Sequence, residues 1–158
     1  MTIDISLEHV CDISVEVAKP LEIGDTGLGE RRVIDITGGR ISGPRLNGRV
    51  RPGADFQIIR PNARYVIEAD DVALIYIEND GIRFGPKDAL DKIKRGEPVD
   101  PALIYFRSVP RFETASPAHA WLMHSIFVCS GVRTPKTVEL SVYRVALGNL
   151  STLVDKIP

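Results

Sequence analysis

The segment Tyr105-Phe106-Arg107-Ser108-Val109-Pro110-Arg111-Phe112-Glu113-Thr114 holds the densest set of side chains able to do chemistry. On a strand, alternate side chains share a face. Tyr105, Arg107, Arg111 and Glu113 therefore lie on one parity, with Phe106 and Phe112 on the other. Facing solvent, the first set is an ordinary charged surface. Facing inward, its members would need mutual pairing, and the guanidinium groups could meet a carboxylate or enolate. Pro110 is the residue able to break the alternation. Asp55 follows Gly53-Ala54 and shares its parity with Gln57 and Ile59. Asp at a strand start commonly serves a turn, but in a dry interior its pKa rises and it becomes a general acid or base. Tyr76, on the parity of Val72 and Leu74, could orient a carbonyl with its phenol. Joined together, these residues form a catalytic set. Asp55 or Glu113 would move a proton, and Arg107 would stabilise an oxyanion with help from Tyr76. Tyr105 and Arg111 are candidate substrate contacts beside them. Trp121 could stack on a ligand, although core packing is the commoner use of a tryptophan.

Other chemistries find little support. The chain has no Gly-x-Ser-x-Gly elbow, Walker loop or His-Glu-x-x-His pair. Gly24, Gly27 and Gly29 have the wrong spacing for a dinucleotide loop, and the strand before them does not lead into a helix. They read as a hairpin or loop. His9 and His124 fall on parities that also carry apolar residues and are expected to point inward. With His119 they show no metal-ligand spacing, so no metal and no cofactor are expected. Cys11 and Cys129 sit in apolar runs without a Cys-x-x-Cys partner and read as buried free thiols.

These side chains must be positioned by strands. From Leu7 to Val17 apolar and polar residues alternate, with Val10 the exception, and His9 falls on the apolar parity. Further strand-like stretches run over about 32–37, 40–50, 55–60, 64–69, 72–78, 103–108, 120–129 and 137–145. Turn signals separate the first of them, at Gly38-Gly39, Gly43-Pro44, Arg51-Pro52-Gly53, Arg60-Pro61-Asn62 and Asn79-Asp80-Gly81. Residues 20–30 read as a Gly-rich loop. Residues 85–96 read as one short surface helix, with Pro86 near its first turn and Gly96 after its basic end. The tail 147–158 reads as a short helix or a frayed end. With about nine strands and no βαβ rhythm, the fold class is all-β, and a closed antiparallel barrel is preferred to a sandwich because closure removes the edges.

Length and composition agree with one domain over residues 1–158. The chain is 44% hydrophobic and 26% charged, with a formal net charge of −1. There is no electrostatic footprint for nucleic acid or an anionic membrane. Apolar runs such as Val72–Ile77 are too short to span a bilayer, and the start lacks signal-peptide character. A cytoplasmic location is the expectation.

Several motifs occur in order: Ile36-Thr37-Gly38-Gly39, Gly43-Pro44-Arg45-Leu46-Asn47-Gly48 and Pro52-Gly53-Ala54-Asp55-Phe56-Gln57. Ala73-Leu74-Ile75-Tyr76, Tyr105-Phe106-Arg107, Pro110-Arg111-Phe112-Glu113-Thr114, Ala120-Trp121-Leu122 and Phe127-Val128 follow. Together they resemble domain of unknown function 3237, also known as uncharacterised protein family 0311, over about Leu7 to Val145. The resemblance implies a small closed antiparallel barrel, like a calycin or an allene-oxide cyclase. Two positions depart from the family pattern. Phe56 stands where relatives carry Trp, and Met123 where they carry Asn. If that asparagine touches a ligand, Met123 makes this pocket more apolar. The segment from Ile59 to Tyr65 is also shorter than usual, which implies a trimmed hairpin. Arg45, His9 and Met123 join Tyr105, Arg111 and Trp121 as candidate substrate contacts.

Three functions are compatible with this reading. One is a cofactor-independent lyase, isomerase or cyclase acting on a small aromatic or polyketide-like molecule inside the barrel. Another is a lipocalin-like binding protein for a small hydrophobic metabolite. The last is an assembly module whose charged strand pairs with another subunit, in a homodimer or a larger homo-oligomer. The expected partner is a small-molecule ligand rather than nucleic acid or membrane.

Overall fold

The computed structural model describes residues 3–57 and 60–148. Its strands are β1 (Ile5–Val17), β2 (Leu21–Asp25), β3 (Glu30–Ser42), β4 (Gly48–Val50), β5 (Gly53–Gln57), β6 (Asn62–Ala69), β7 (Leu74–Phe84), β8 (Tyr105–Thr114), β9 (Ile126–Arg133) and β10 (Thr137–Leu147). Helix α1 covers Lys87–Lys94, and 3-10 segments cover Pro101–Leu103 and Pro117–His124. All the strand pairings are antiparallel. They follow the order β1-β10-β9-β8-β7-β6, β4 and β5 each join β6 to β3, and β3 pairs with β1 to close the ring. The result is a closed eight-stranded barrel with two extra strands. None of its described helices is long and apolar enough to cross a membrane.

Five local features differ from the sequence expectation. β1 carries a register shift between His9 and Cys11, so Val10 is an extra residue and the alternation changes face there. Val10, Cys11, Ile13 and Val15 are buried, whereas Leu7 is 58% exposed and His9 turns outward with it. The Gly38-Gly39 pair is a kink within one continuous β3, not a turn between two strands. Gly39 has φ of +149°, and a Cβ there would lie 2.1 Å from the Ser14 carbonyl oxygen. Asn79-Asp80-Gly81 likewise lies inside β7, and residues 21–25 of the expected loop pair with β3 as a hairpin arm. The expected strand over 120–129 begins only at Ile126. Pro117, whose fixed φ suits a first helical position, opens the 3-10 segment instead, so His124 is exposed on a helical turn and does not point into the barrel. The expectations for the tail fall mainly on residues outside the described ones.

The interior is divided along the barrel axis. At one end Val10, Ile41, Leu46, Ile75, Phe112 and Phe127 pack together, closed over by Leu122 of the 3-10 segment. Cys11 and Cys129 belong to this apolar half as free thiols, each pushed up to about 12, chiefly by burial, and so held neutral. The other end, beside α1, contains the polar residues.

Candidate functional site

Asp55, Arg32, Gln57, Asn79 and Ser108 are the buried polar or charged residues among those described. Their strand positions explain why they meet. Asp55 and Gln57 occupy the inner parity of β5, and the β3–β5 register sets Gln57 opposite Arg32. Asn79, Gly81 and Arg83 continue the inner parity of β7 that begins with Ile75 and Ile77. Ser108 lies between Phe106 and Phe112 on the inner parity of β8. A narrow cavity runs between Asp55, Asn79, Arg83 and Ser108; about 30 Å³ of it admits the centre of a water molecule, within about 430 Å³ of non-atom space that includes open solvent at its mouth. Its walls are Val15, Val17, Ile36, Val138 and Leu140 on one side, and Asp55, Tyr65, Asn79, Arg83, Phe106 and Ser108 on the other.

A chain of hydrogen bonds orients the acid. Arg32 Nε donates to Gln57 Oε1 at 2.9 Å, which turns the Gln57 amide so that Nε2 donates to Asp55 Oδ2 at 2.5 Å. The Asn62 backbone N–H donates to Asp55 Oδ1 at 3.0 Å. Burial nevertheless raises the Asp55 pKa, because desolvation of the carboxylate outweighs these bonds and the attraction of Arg83 and Arg32. Burial also pulls the Arg83 guanidinium down to about 10, still charged at neutral pH. Tyr65 is shifted strongly upward, again mainly by burial, so its phenol keeps its proton and can only be a neutral donor or acceptor.

Four cavity-lining polar atoms are buried without hydrogen-bond partners among the described residues: Tyr65 OH, Asn79 Oδ1, Arg83 Nε and Ser108 Oγ, the last lying beside the Cys129 thiol. Such atoms are rare in folded proteins and costly, on the order of 1–3 kcal/mol each. Three of them can donate, and one is an acceptor. All four belong to residues that line the cavity holding the acid.

The raised Asp55 pKa has a consequence for stability. A carboxyl that binds its proton more tightly in the folded state destabilises the fold as pH rises from its unfolded value through its folded one. The Asp55→Asn variant lacks this penalty. The difference in melting temperature, variant minus parent, should therefore increase from about pH 4 to pH 7. A flat or falling difference across that window would contradict the burial of an ionisable Asp55.

Of the residues expected from sequence to form the site, only Asp55 lines the cavity. The alternation of β8 runs unbroken through Pro110, and Phe106 and Phe112 take the interior because they bury the larger apolar surface. Arg107, Arg111, Glu113 and Tyr105 consequently face outward. Arg107 lies 5.3 Å from the Tyr105 ring centroid and donates to the Phe106 carbonyl, and Arg111 pairs with Glu78 at 3.0 Å. Tyr76 also faces outward, donating to Glu78 Oε1 at 2.8 Å, and is cross-strand partner to Glu113. Of the two faces the sequence left open for this row, β8 gives it the solvated one, so the catalytic roles that depended on an inward Arg107 and Glu113 are not met in the barrel interior. His9 bonds Asp12 at 3.1 Å and packs on Tyr143 on the outer surface. Arg45 pairs with Glu8 at 2.7 Å and covers the Trp121 ring at 4.2 Å. Trp121 packs against the apolar core at the far end, and Met123 is 44% exposed.

The Arg111→Ala and Glu113→Gln variants should each change unfolding free energy by no more than about 0.5 kcal/mol, because exposed pairs contribute little. A loss of several kcal/mol in urea titrations would place those side chains in the fold's interior after all. Sequence reasoning missed Arg32, Tyr65, Asn79, Arg83 and Ser108. The usable signal was the parity of the bulkiest apolar residues, Ile75 and Ile77 on β7 and Phe106 and Phe112 on β8, which marks the inner face.

A family model described as "Protein of unknown function (DUF3237)" matches residues 5–145. A UPF0311 protein of Rhodopseudomonas palustris is 47% identical over 152 residues, 92% of this chain and 99% of that one. The crystal structure of a conserved protein of unknown function from that organism superposes with a TM-score of 0.85 at 44% identity, covering 92% of this chain and all of the other. A β-barrel-like protein of Acinetobacter baumannii superposes at 0.79 and 38% identity, covering 90% and 97% of the two chains. An enzyme from Penicillium herquei superposes at 0.67 over 90% and 95%; at 16% identity that likeness concerns the fold alone.

Proposed function

This chain belongs to the DUF3237 family, and we propose that it is a cofactor-independent lyase, isomerase or cyclase in which Asp55 moves a proton on a small aromatic or polyketide-like molecule inside the barrel. The observation that carries this reading is a buried carboxyl of raised pKa facing four unpartnered polar atoms across one cavity. A carboxyl shifted toward neutrality can both accept and return a proton at physiological pH. Carbon next to a carbonyl is the natural proton source, because the resulting enolate oxygen would meet hydrogen-bond donors. Tyr65 OH, Ser108 Oγ and Arg83 Nε supply these. Gln57 and Arg32 are positioning residues that hold the carboxylate in one orientation. Arg83 thus takes the oxyanion role that sequence assigned to Arg107.

A lipocalin-like binding role has one observation in its favour, the apolar wall of Val15, Val17, Ile36, Val138 and Leu140. Incubation with aryl ketones and cyclic diketones in D2O, followed by NMR, separates the two. Enzyme-dependent deuterium exchange or turnover that disappears in Asp55→Asn supports proton transfer. Saturable binding of these compounds with neither exchange nor turnover leaves the binding role in its place.

A further inference from the structure

The polar end of the barrel holds more positive charge than its own residues neutralise. Arg32, Arg83 and Arg133 gather there, close enough for each to act on the field that Asp55 and the other guanidinium groups feel. Asp55 is the only buried acid among the described residues, and both its oxygens are occupied, by Gln57 and by the Asn62 backbone. Arg32 is held by Gln57, and by the more exposed Glu22 at 3.7 Å. Arg133 donates to the carbonyls of Thr134 and Thr137. Arg83 differs from both.

Arg83 projects from the inner parity of β7 into the cavity, with its guanidinium 4.7 Å from the Phe106 ring centroid. Among the described residues it makes no ion pair, and its buried Nε donates to nothing. Stacking on an aromatic face leaves the edge of a guanidinium free, and that edge matches two oxygens of a carboxylate. Arg83 is half-buried, and the carboxylate that attracts it, Asp55, already accepts from Gln57 and Asn62. The desolvated part of a guanidinium is costly, and the group cannot shed its proton to escape the cost.

We infer that the cavity takes a small organic monoanion, an apolar body seated against Val15, Ile36 and Leu140 with a carboxylate or delocalised oxyanion against Arg83. The inference rests on the cavity being the ligand site, and adds the charge of the ligand to the proton-transfer reading. A single charge fits because most of the wall is apolar.

The test uses the full chain and two matched pairs of probes, benzoate with benzamide and cinnamate with cinnamamide. They are titrated in low-chloride buffer by calorimetry and by protein-observed NMR. Members of each pair have nearly the same shape and differ in charge. The expected result is at least tenfold tighter binding of a carboxylate than of its amide, weakened by added salt. The Arg83→Met variant should lose that preference, while amide affinity stays the same. Arg83→Lys should keep part of it. If Arg83→Met does not fold, the comparison of carboxylate with amide on the unaltered chain decides. Equal binding of the two, binding of neither, or a preference that survives Arg83→Met overturns the inference. Asp55→Asn separates this idea from the proton-transfer reading. Carboxylate binding that persists or tightens in that variant, with no turnover by the parent, sinks proton transfer and leaves the anion site standing. Turnover confined to uncharged substrates does the reverse.

Discussion

The Asp55→Asn variant is expected to lower kcat by about 10²- to 10⁴-fold, the usual contribution of a positioned acid or base, with a much smaller change in KM. The substitution preserves shape, so apolar contacts with the cavity wall remain. It removes the ability to carry a proton. Asn has one oxygen where the carboxylate has two, and both carboxylate oxygens accept hydrogen bonds. One of the two donors, Gln57 Nε2 or the Asn62 N–H, must lose its acceptor, at a cost of about 1–2 kcal/mol. Removal of a desolvated charge offsets part of that. The variant should therefore fold, which circular dichroism would show, and the kinetic loss can be read as chemistry. A kcat within threefold of the parent on a substrate that the parent turns over would exclude Asp55 as the proton-transfer group. Gln57→Leu provides a contrasting case. It leaves the carboxylate but removes both its donor and the link to Arg32. Its signature is a shifted pH–rate profile, because a carboxyl deprived of that hydrogen bond holds its proton more tightly still.

Phe127→Ala should cost about 3–5 kcal/mol of unfolding free energy, the range for deleting a large side chain from a packed core. Phe127 is 1% exposed, meets Phe112 edge to face at 5.0 Å and lies 5.8 Å from the Trp121 ring. It sits where β8, β9 and the 3-10 segment converge, so collapse around the cavity is opposed from three directions. A domain of this size is stable by only about 5–15 kcal/mol, and the variant should have lost a substantial part of that. Urea unfolding checks the value. A loss below about 1 kcal/mol would mean that the apolar half is not close-packed. The effect should fall on stability and not on ligand specificity, since Phe127 belongs to the end of the barrel away from Asp55 and Arg83.

The same division explains what could be read from sequence. Alternation in β1, β8 and β10, and turn chemistry at Arg51-Pro52-Gly53 and Arg60-Pro61-Asn62, are local signals, and they led to an all-β barrel with one short helix over residues close to α1. Asp55 was also legible, because a carboxylate sharing a strand parity with Gln57 and Ile59 is conspicuous in an apolar setting. The side of each strand that faced inward was less so. On β8 the charged set and the aromatic set alternate equally well. Choosing between them required the aromatic residues to outweigh the arginines in burial, which one strand does not show. On β1 the shift at Val10 reversed the face for His9. On β7 the Asn-Asp-Gly run that resembles a turn is held extended by β6 on one edge and β8 on the other.

By itself, the sequence determined the class of fold, some of its turns, the buried free thiols and the acid that lines the cavity. Period and turn preference are properties of neighbouring residues, so they survive without knowledge of the whole. Tertiary structure alone decided that Arg32, Tyr65, Asn79, Arg83 and Ser108 meet Asp55. They come from β3, β6, β7 and β8, and only barrel closure and register bring such distant residues to one level. It also decided that Arg107, Arg111 and Glu113 stay in water. A closed barrel has a single interior, and on β8 the large apolar side chains fill it.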